Sequence, residues 1–149
     1  MDDLIEVLVK ESKPDYTTGQ YRIVLKDKKS DLVLSIWVGY FEGNSIALTL
    51  EDTWSPRPMT HDLIKNILND LGTRIGRIII TDIKDNTFYA ALGLVSGDGE
   101  ILVDSRPSDA IAVAIRCNVP IFVGRKLAVK MSDEMDEIFD RLEPEDTVH

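Results

Sequence analysis

The chain carries one plan twice, and that repetition limits its fold more than any other feature. Laid over one another without gaps at an offset of 65, the sixteen residues from Ile36 (IWVGYFEGNSIALTLE) and the sixteen from Ile101 (ILVDSRPSDAIAVAIR) agree at Ile36, Val38, Ile46 and Ala47 and share an apolar pattern. Strand-like segments stand upstream of the first: Leu4 to Lys10, Gln20 to Lys26 and Asp31 to Val38, the last two joined by the turn Asp27-Lys28-Lys29-Ser30. Arg77 to Ile83, Thr87 to Ser96 and Glu100 to Val103 repeat the arrangement, with turn residues at Asp85-Asn86 and Gly97-Asp98-Gly99. A duplicated β-β-β-α unit accounts for both halves. The expected fold is α+β, a curved mixed sheet with packed helices. Duplication also settles residues 45 to 50, which alternate like a strand; their counterpart, opened by Pro107 and Ser108, reads as a helix, so both are read as helices.

Between the halves, Thr53-Trp54-Ser55-Pro56-Arg57-Pro58 forms a stiff loop, and Thr60 is placed to cap a helix running through Leu63, Ile64, Ile67, Leu68 and Leu71 to Gly72. After the second unit, Val119 to Val123 reads as a short edge strand, because Pro120 has no N–H to give a central ladder. Met131, Met135, Ile138, Phe139 and Leu142 recur at helical spacing behind Ser132 as cap. The expected organisation is one domain over residues 1 to 130, with residues 131 to 149 an acidic helix and tail docked on it.

Charge matters here through its distribution. The net charge is −9, but residues 131 to 149 hold eight acids against Arg141 alone, so the body is close to neutral. Broad attraction to a polyanion is not implied, while local anion-accepting patches are permitted. The single cysteine, Cys117, excludes an intrachain disulfide and a cysteine-rich metal site. No apolar run approaches a membrane span and the start is not a secretory signal, so a cytoplasmic protein without membrane attachment is expected.

Chemistry concentrates at two helix mouths. Arg57 and Arg106 each precede a proline, which biases them to extended backbone, and each stands just before a helix N-terminus, where free amides and the helix dipole favour anions. The plainer alternative is a local ion pair, such as Arg106 with Asp104, with Ser105 or Ser108 as an ordinary N-cap and Asp109 as a first-turn charge. His61, on the first turn behind Thr60 and beside Asp62, is the one histidine of the body, fit for proton transfer or a structural role. Asp104 and Asp109 offer two carboxylates for a divalent ion such as Mg²⁺ or Mn²⁺. The chain has no Walker loop, His-Glu-x-x-His or Gly-x-Ser-x-Gly.

In order and spacing, Arg57-Pro58-Met59-Thr60-His61-Asp62-Leu63, Thr87-Phe88-Tyr89-Ala90 and Asp104-Ser105-Arg106-Pro107-Ser108-Asp109-Ala110-Ile111-Ala112 resemble the bifunctional nuclease domain family of bacteria and plants, over about residues 1 to 130. The resemblance implies hydrolysis of DNA and RNA, a wedge-shaped homodimer, and an active site in a broad groove at the thick end. Its matching positions are Arg57, Thr60, His61, Asp104, Arg106, Ser108 and Asp109. On that basis His61, Asp104 and Asp109 are the expected catalytic residues, the two aspartates holding a divalent metal. Arg57, Arg106, Thr60 and Ser108 are expected to bind phosphate. The partners are then the DNA and RNA backbone and a second copy, to which Trp37, Tyr40, Phe41 and Trp54 supply aromatic surface. The rival class is a non-catalytic homodimeric module binding an anionic ligand or a protein.

Overall fold

The structure is a computed structural model that describes residues 3–53 and 55–132. The chain runs β1 (Leu4–Pro14), β2 (Tyr21–Asp27), β3 (Val33–Val38), α1 (Tyr40–Leu50), α2 (Thr60–Asp70), β4 (Arg74–Lys84), β5 (Thr87–Ser96), β6 (Gly99–Ser105), α3 (Pro107–Cys117) and β7 (Ile121–Gly124). A further helix, α4, begins at residue 125 and continues to residue 132, the last described. The seven strands form one mixed, open sheet in the order β3-β2-β1-β7-β4-β5-β6.

Local chemistry makes the hairpins. The Asp27 carboxylate accepts from the Lys29 N–H and the Ser30 hydroxyl, closing the β2–β3 turn. Asp85 and Asn86 adopt φ of 51° and 62°, two successive left-handed residues that match the twist of β4 and β5. Gly97 supplies the positive φ of the β5–β6 turn, where a side chain would be strained.

The strand order bears the mark of the repeat. β1 is antiparallel to β7 and β4 is parallel to it, so β1 and β4 run in opposite directions. A half-turn about the sheet normal through β7 therefore exchanges β1 with β4, β2 with β5 and β3 with β6. The helices obey it too: α1 packs over β1 and β2, α3 over β4 and β5, and the two touch. Residues 45 to 50 lie in α1, as the repeat requires.

The helices cover one sheet face. Side chains alternate along strands. Ile23, Leu25, Ile78, Ile80, Ile121 and Val123 point into this core with Ile46 of α1 and Ile111 of α3, while Ile79 and Ala91 lie outside it. Core packing reaches α4 through Leu127, Ala128 and Met131.

Three local readings of the sequence are corrected. β7 is not an edge strand but lies between β1 and β4, because Pro120 falls one residue before it. The missing donor is thus outside the ladder, and the Pro120 carbonyl accepts from the Ile78 N–H at 3.0 Å. Thr60 is the first helical residue, not the cap; Met59 takes that position, and its N–H donates to Asp62 Oδ2 at 2.9 Å. Ser132 is already inside α4, so it is not an N-cap. The remainder of the expected acidic helix, residues 133–149, and Trp54 lie outside the described residues.

Candidate active site

The N-terminus of α3 is where the repeat departs from symmetry: Arg106 and Asp109 stand where the first half has Phe41 and Asn44. Pro107 begins the helix and Arg106 is its N-cap, with φ −70° and ψ 145°, the extended geometry that a following proline imposes. No side chain caps this end, and Ser105 instead donates its hydroxyl to the Arg106 carbonyl. The Arg106 side chain, 65% exposed, folds back over the helix mouth, its Nε donating to Asp109 Oδ2 at 2.8 Å and its Nη1 ion-paired with Glu42 Oε1 at 2.9 Å. The expected pairing with Asp104 is replaced by these two.

From Asp109 a chain of bonds runs inward. His61 Nε2 lies 2.9 Å from Asp109 Oδ1, and His61 Nδ1 lies 2.9 Å from Ser45 Oγ. Arg116 Nη2 donates to the same Ser45 Oγ at 2.9 Å, while Arg116 Nε donates to Asp62 Oδ1 at 2.7 Å and Nη1 to the Ala112 carbonyl. The inner members are closed to solvent, His61 being 6% and Ser45 3% exposed. One network thus ties α1 through Glu42 and Ser45, α2 through His61 and Asp62, and α3 through Arg106, Asp109 and Arg116.

The network fixes charge. Burial works to raise the Asp109 carboxyl, yet the bonds from Arg106 and His61 and the nearby positive charge outweigh it, and the group is held below the usual carboxylate range. Asp62 behaves alike, burial being overcome by the Met59 N–H and Arg116. The Arg106 guanidinium is pushed up by its bond to Asp109 first and by Glu42 after it.

Of the residues expected from the sequence, His61, Arg106 and Asp109 come together and the others do not join them. Asp104 pairs in register with Ala91, whose neighbours Ala90 and Leu92 face the core. Asp104 therefore points to the opposite sheet face from the helices, where it shares a shallow hollow with Asp82, Lys84 and Tyr89. Asp104 and Asp109 thus do not form a pair. Asp109 also has both oxygens engaged, and among the described residues no three His, Cys, Asp or Glu side chains converge as a metal cage. This donor set does not fit a divalent ion. Ser108 is buried in the first turn of α3, and Thr60 is exposed. Arg57 lines a separate groove of about 1140 Å³ with Asp62, Lys65 and Arg116, at the far end of the network from Arg106.

Sequence reading missed Glu42, Ser45 and Arg116. Two signals were available: Arg116 is the one charge in the second half of an apolar helix, two turns beyond Asp109 on the same face, and Ser45 is a polar residue beside the apolar Ile46 and Ala47 of the repeat.

Comparison with known proteins gives the family of the chain. Residues 23–136 match the family profile described as the bifunctional nuclease domain. An uncharacterized protein of Mycobacterium tuberculosis is 36% identical over 136 residues, covering 89% of this chain and 81% of that protein. Bifunctional nuclease 1 of Oryza sativa subsp. indica is 34% identical over 112 residues, 72% of this chain and 34% of the rice protein. Bifunctional nuclease 2 of Arabidopsis thaliana is 28% identical over 118 residues, 77% of this chain and 36% of that protein. The match takes in only about a third of each plant protein. With most of its length inside the family profile, and with relatives sharing a third of their residues across most of the chain, this protein belongs to the bifunctional nuclease domain family.

Proposed function

We propose that the chain is a nuclease that hydrolyses phosphodiester bonds of DNA and RNA at the mouth of α3. The observation that carries this reading is the exposed Arg106 guanidinium bonded to Asp109, whose other oxygen is held by the buried His61. A guanidinium has five N–H groups, and the bonds to Asp109 and Glu42 engage Nε and one on Nη1. The remainder face outward and can bind two non-bridging phosphate oxygens as a planar fork.

Asp109 is then the proton acceptor for the attacking water; as the new P–O bond forms, the bond to the leaving oxygen breaks and that oxygen takes its proton from solvent. Its carboxylate is ionised at neutral pH, and with Oδ1 fixed by the His61 N–H and one lone pair of Oδ2 on Arg106, the second lone pair of Oδ2 is left to meet the attacking water beside the phosphate. Contacts limited to phosphate leave the 2′-hydroxyl and the base edges unread, which supports action on both nucleic acids. Family membership and the plant relatives' names support the activity. No step is assigned to a metal ion, since the donors present do not fit one.

A second reading is favoured by one specific observation: Arg106 is flanked by two carboxylates, so the local charge is negative, which disfavours a polyanion. On that reading the cluster fastens three helices and the protein is a non-catalytic module. Cleavage of short DNA and RNA oligonucleotides by wild type, Arg106→Ala and Arg106→Lys, purified identically, separates the two. The nuclease reading requires both variants to lose activity while melting within a few degrees of wild type, since a pair this exposed contributes at most about 1 kcal/mol. Equal activity in all three preparations contradicts it.

The active form is proposed to be a homodimer. Beyond the resemblance, support comes from edge strand β6, where Ile101, Leu102 and Val103 stand about half exposed, whereas Ile36 and Val38, the repeat counterparts of Ile101 and Val103 on edge strand β3, are buried. Trp37, Tyr40 and Phe41 are exposed as well.

A further inference from the structure

Ser45 and Arg116 lie behind the part of the network that meets solvent, yet they decide where the proton sits on His61. An ionised carboxylate accepts only, so the ring nitrogen facing Asp109 Oδ1, Nε2, must carry hydrogen. At the other nitrogen, Nδ1 faces Ser45 Oγ at 2.9 Å, and Arg116 Nη2 lies 2.9 Å from that same oxygen. Guanidinium has no acceptor, so it occupies one lone pair of the hydroxyl.

Ser45 has one hydrogen to place. If Nδ1 also carried a hydrogen, Oγ would receive two donors and its own hydrogen would need a third partner. Among the described residues Oγ bonds only to His61 and Arg116, and Ser45 is closed to water. One arrangement satisfies every group: Arg116 donates to Ser45, Ser45 donates to a bare Nδ1, and Nε2–H donates to Asp109. The charged groups around the ring are Asp109, with Arg106 and Glu42 behind it, and on the other side Arg116 with Asp62.

We propose that Ser45 and Arg116 are positioning residues that hold His61 as the neutral Nε2–H tautomer, aiming its one N–H at Asp109 and closing the opposite nitrogen to proton transfer. The bearing on catalysis rests on the nuclease reading; the position of the proton does not. His61 then acts through Asp109 and takes no proton from substrate itself. Ser45, although it stands in a Ser-His-Asp sequence of bonds, is no nucleophile, because its oxygen is buried and committed to Arg116 and the ring.

The test is nitrogen NMR on the full chain labelled at histidine, with His149→Ala leaving His61 as the only imidazole. Long-range proton–nitrogen correlations at neutral pH are expected to show a protonated Nε2 and a bare Nδ1. A protonated Nδ1, in the other tautomer or in the cation, overturns the proposal. Ser45→Ala removes the donor to Nδ1 and is expected to let that nitrogen take a proton while Nε2 keeps its own against Asp109, adding the cation to the pattern, whereas Arg116→Lys, which keeps a donor toward Oγ, is expected to retain the single tautomer. An unchanged His61 pattern in Ser45→Ala also overturns it. Under the nuclease reading Ser45→Ala lowers kcat about tenfold with KM kept. A wild type that shows the Nε2–H tautomer but cleaves nothing sinks the nuclease reading and leaves the proton assignment standing.

Discussion

Without its side chain at position 116, the helix layer would keep Asp62 and Ser45 but lose the donor that both share. Arg116 is 6% exposed at the side chain and bonds to α1, to α2 and to its own helix. Breaking such a pair by removing one partner leaves the other desolvated, and Arg116→Ala is expected to cost about 3 kcal/mol in a urea titration. A pH dependence follows from the same groups. Asp62 and Asp109 titrate lower in the folded chain than in the unfolded one, so their contribution is complete above the unfolded value and is lost as pH falls through the folded one. The urea midpoint is expected to hold from neutral pH down to about 5 and to decline below about 4. Asp62→Asn is expected to lower the plateau and flatten that decline. His61, Arg106 and Asp109 were legible in the sequence because unusual residue types at a helix mouth stand out against an apolar helix. Glu42 was not, because what selects it is its position across the α1–α3 contact, which spacing along the chain does not express.

At Gly43, α1 crosses close over β2. A Cβ built on Gly43 would collide with the Tyr21 Cβ, and the Gly43 carbonyl accepts from the Ser12 hydroxyl of β1. Neither neighbour is a flexible chain end, so Gly43→Ala must lift α1 from the sheet. Thermal unfolding of that variant is expected to show a loss of about 2 kcal/mol or more. Ser45 and Glu42 lie on the same helix, so cleavage should fall in the fraction that stays folded as well. The repeat occupant, Ser108, keeps a side chain at the equivalent point of α3, so the need for glycine is particular to the first half. Element types were readable from alternation, turn residues and the repeat. The central place of β7 was not: a four-residue apolar run next to proline has the composition of an edge, and only the closing of two three-stranded halves around it makes it central.

At the scale of the whole molecule, the half-turn symmetry of the sheet leaves two edges that differ in cover. β3 buries Leu34, Ile36 and Val38, while β6 exposes Ile101, Leu102 and Val103, an apolar edge of the kind that pairs with another chain unless protected. Light scattering is expected to give a dimer at micromolar concentration, and Leu102→Lys, which puts a charge on that edge, is expected to give a folded monomer. A monomeric wild type contradicts the dimer. Among the described residues no helix is long and apolar enough to cross a membrane. Asp109→Asn separates chemistry from packing, because the amide keeps the volume while removing the carboxylate that holds Arg106 and is proposed to accept the proton. Single-turnover cleavage of one DNA and one RNA oligonucleotide, by wild type and variant purified side by side with Mg²⁺, with Mn²⁺ and with chelator, gives the answer. Wild type is expected to cleave both substrates and the variant to lose about a hundredfold or more, with its melting transition still cooperative. Cleavage by Asp109→Asn at the wild-type rate would contradict it.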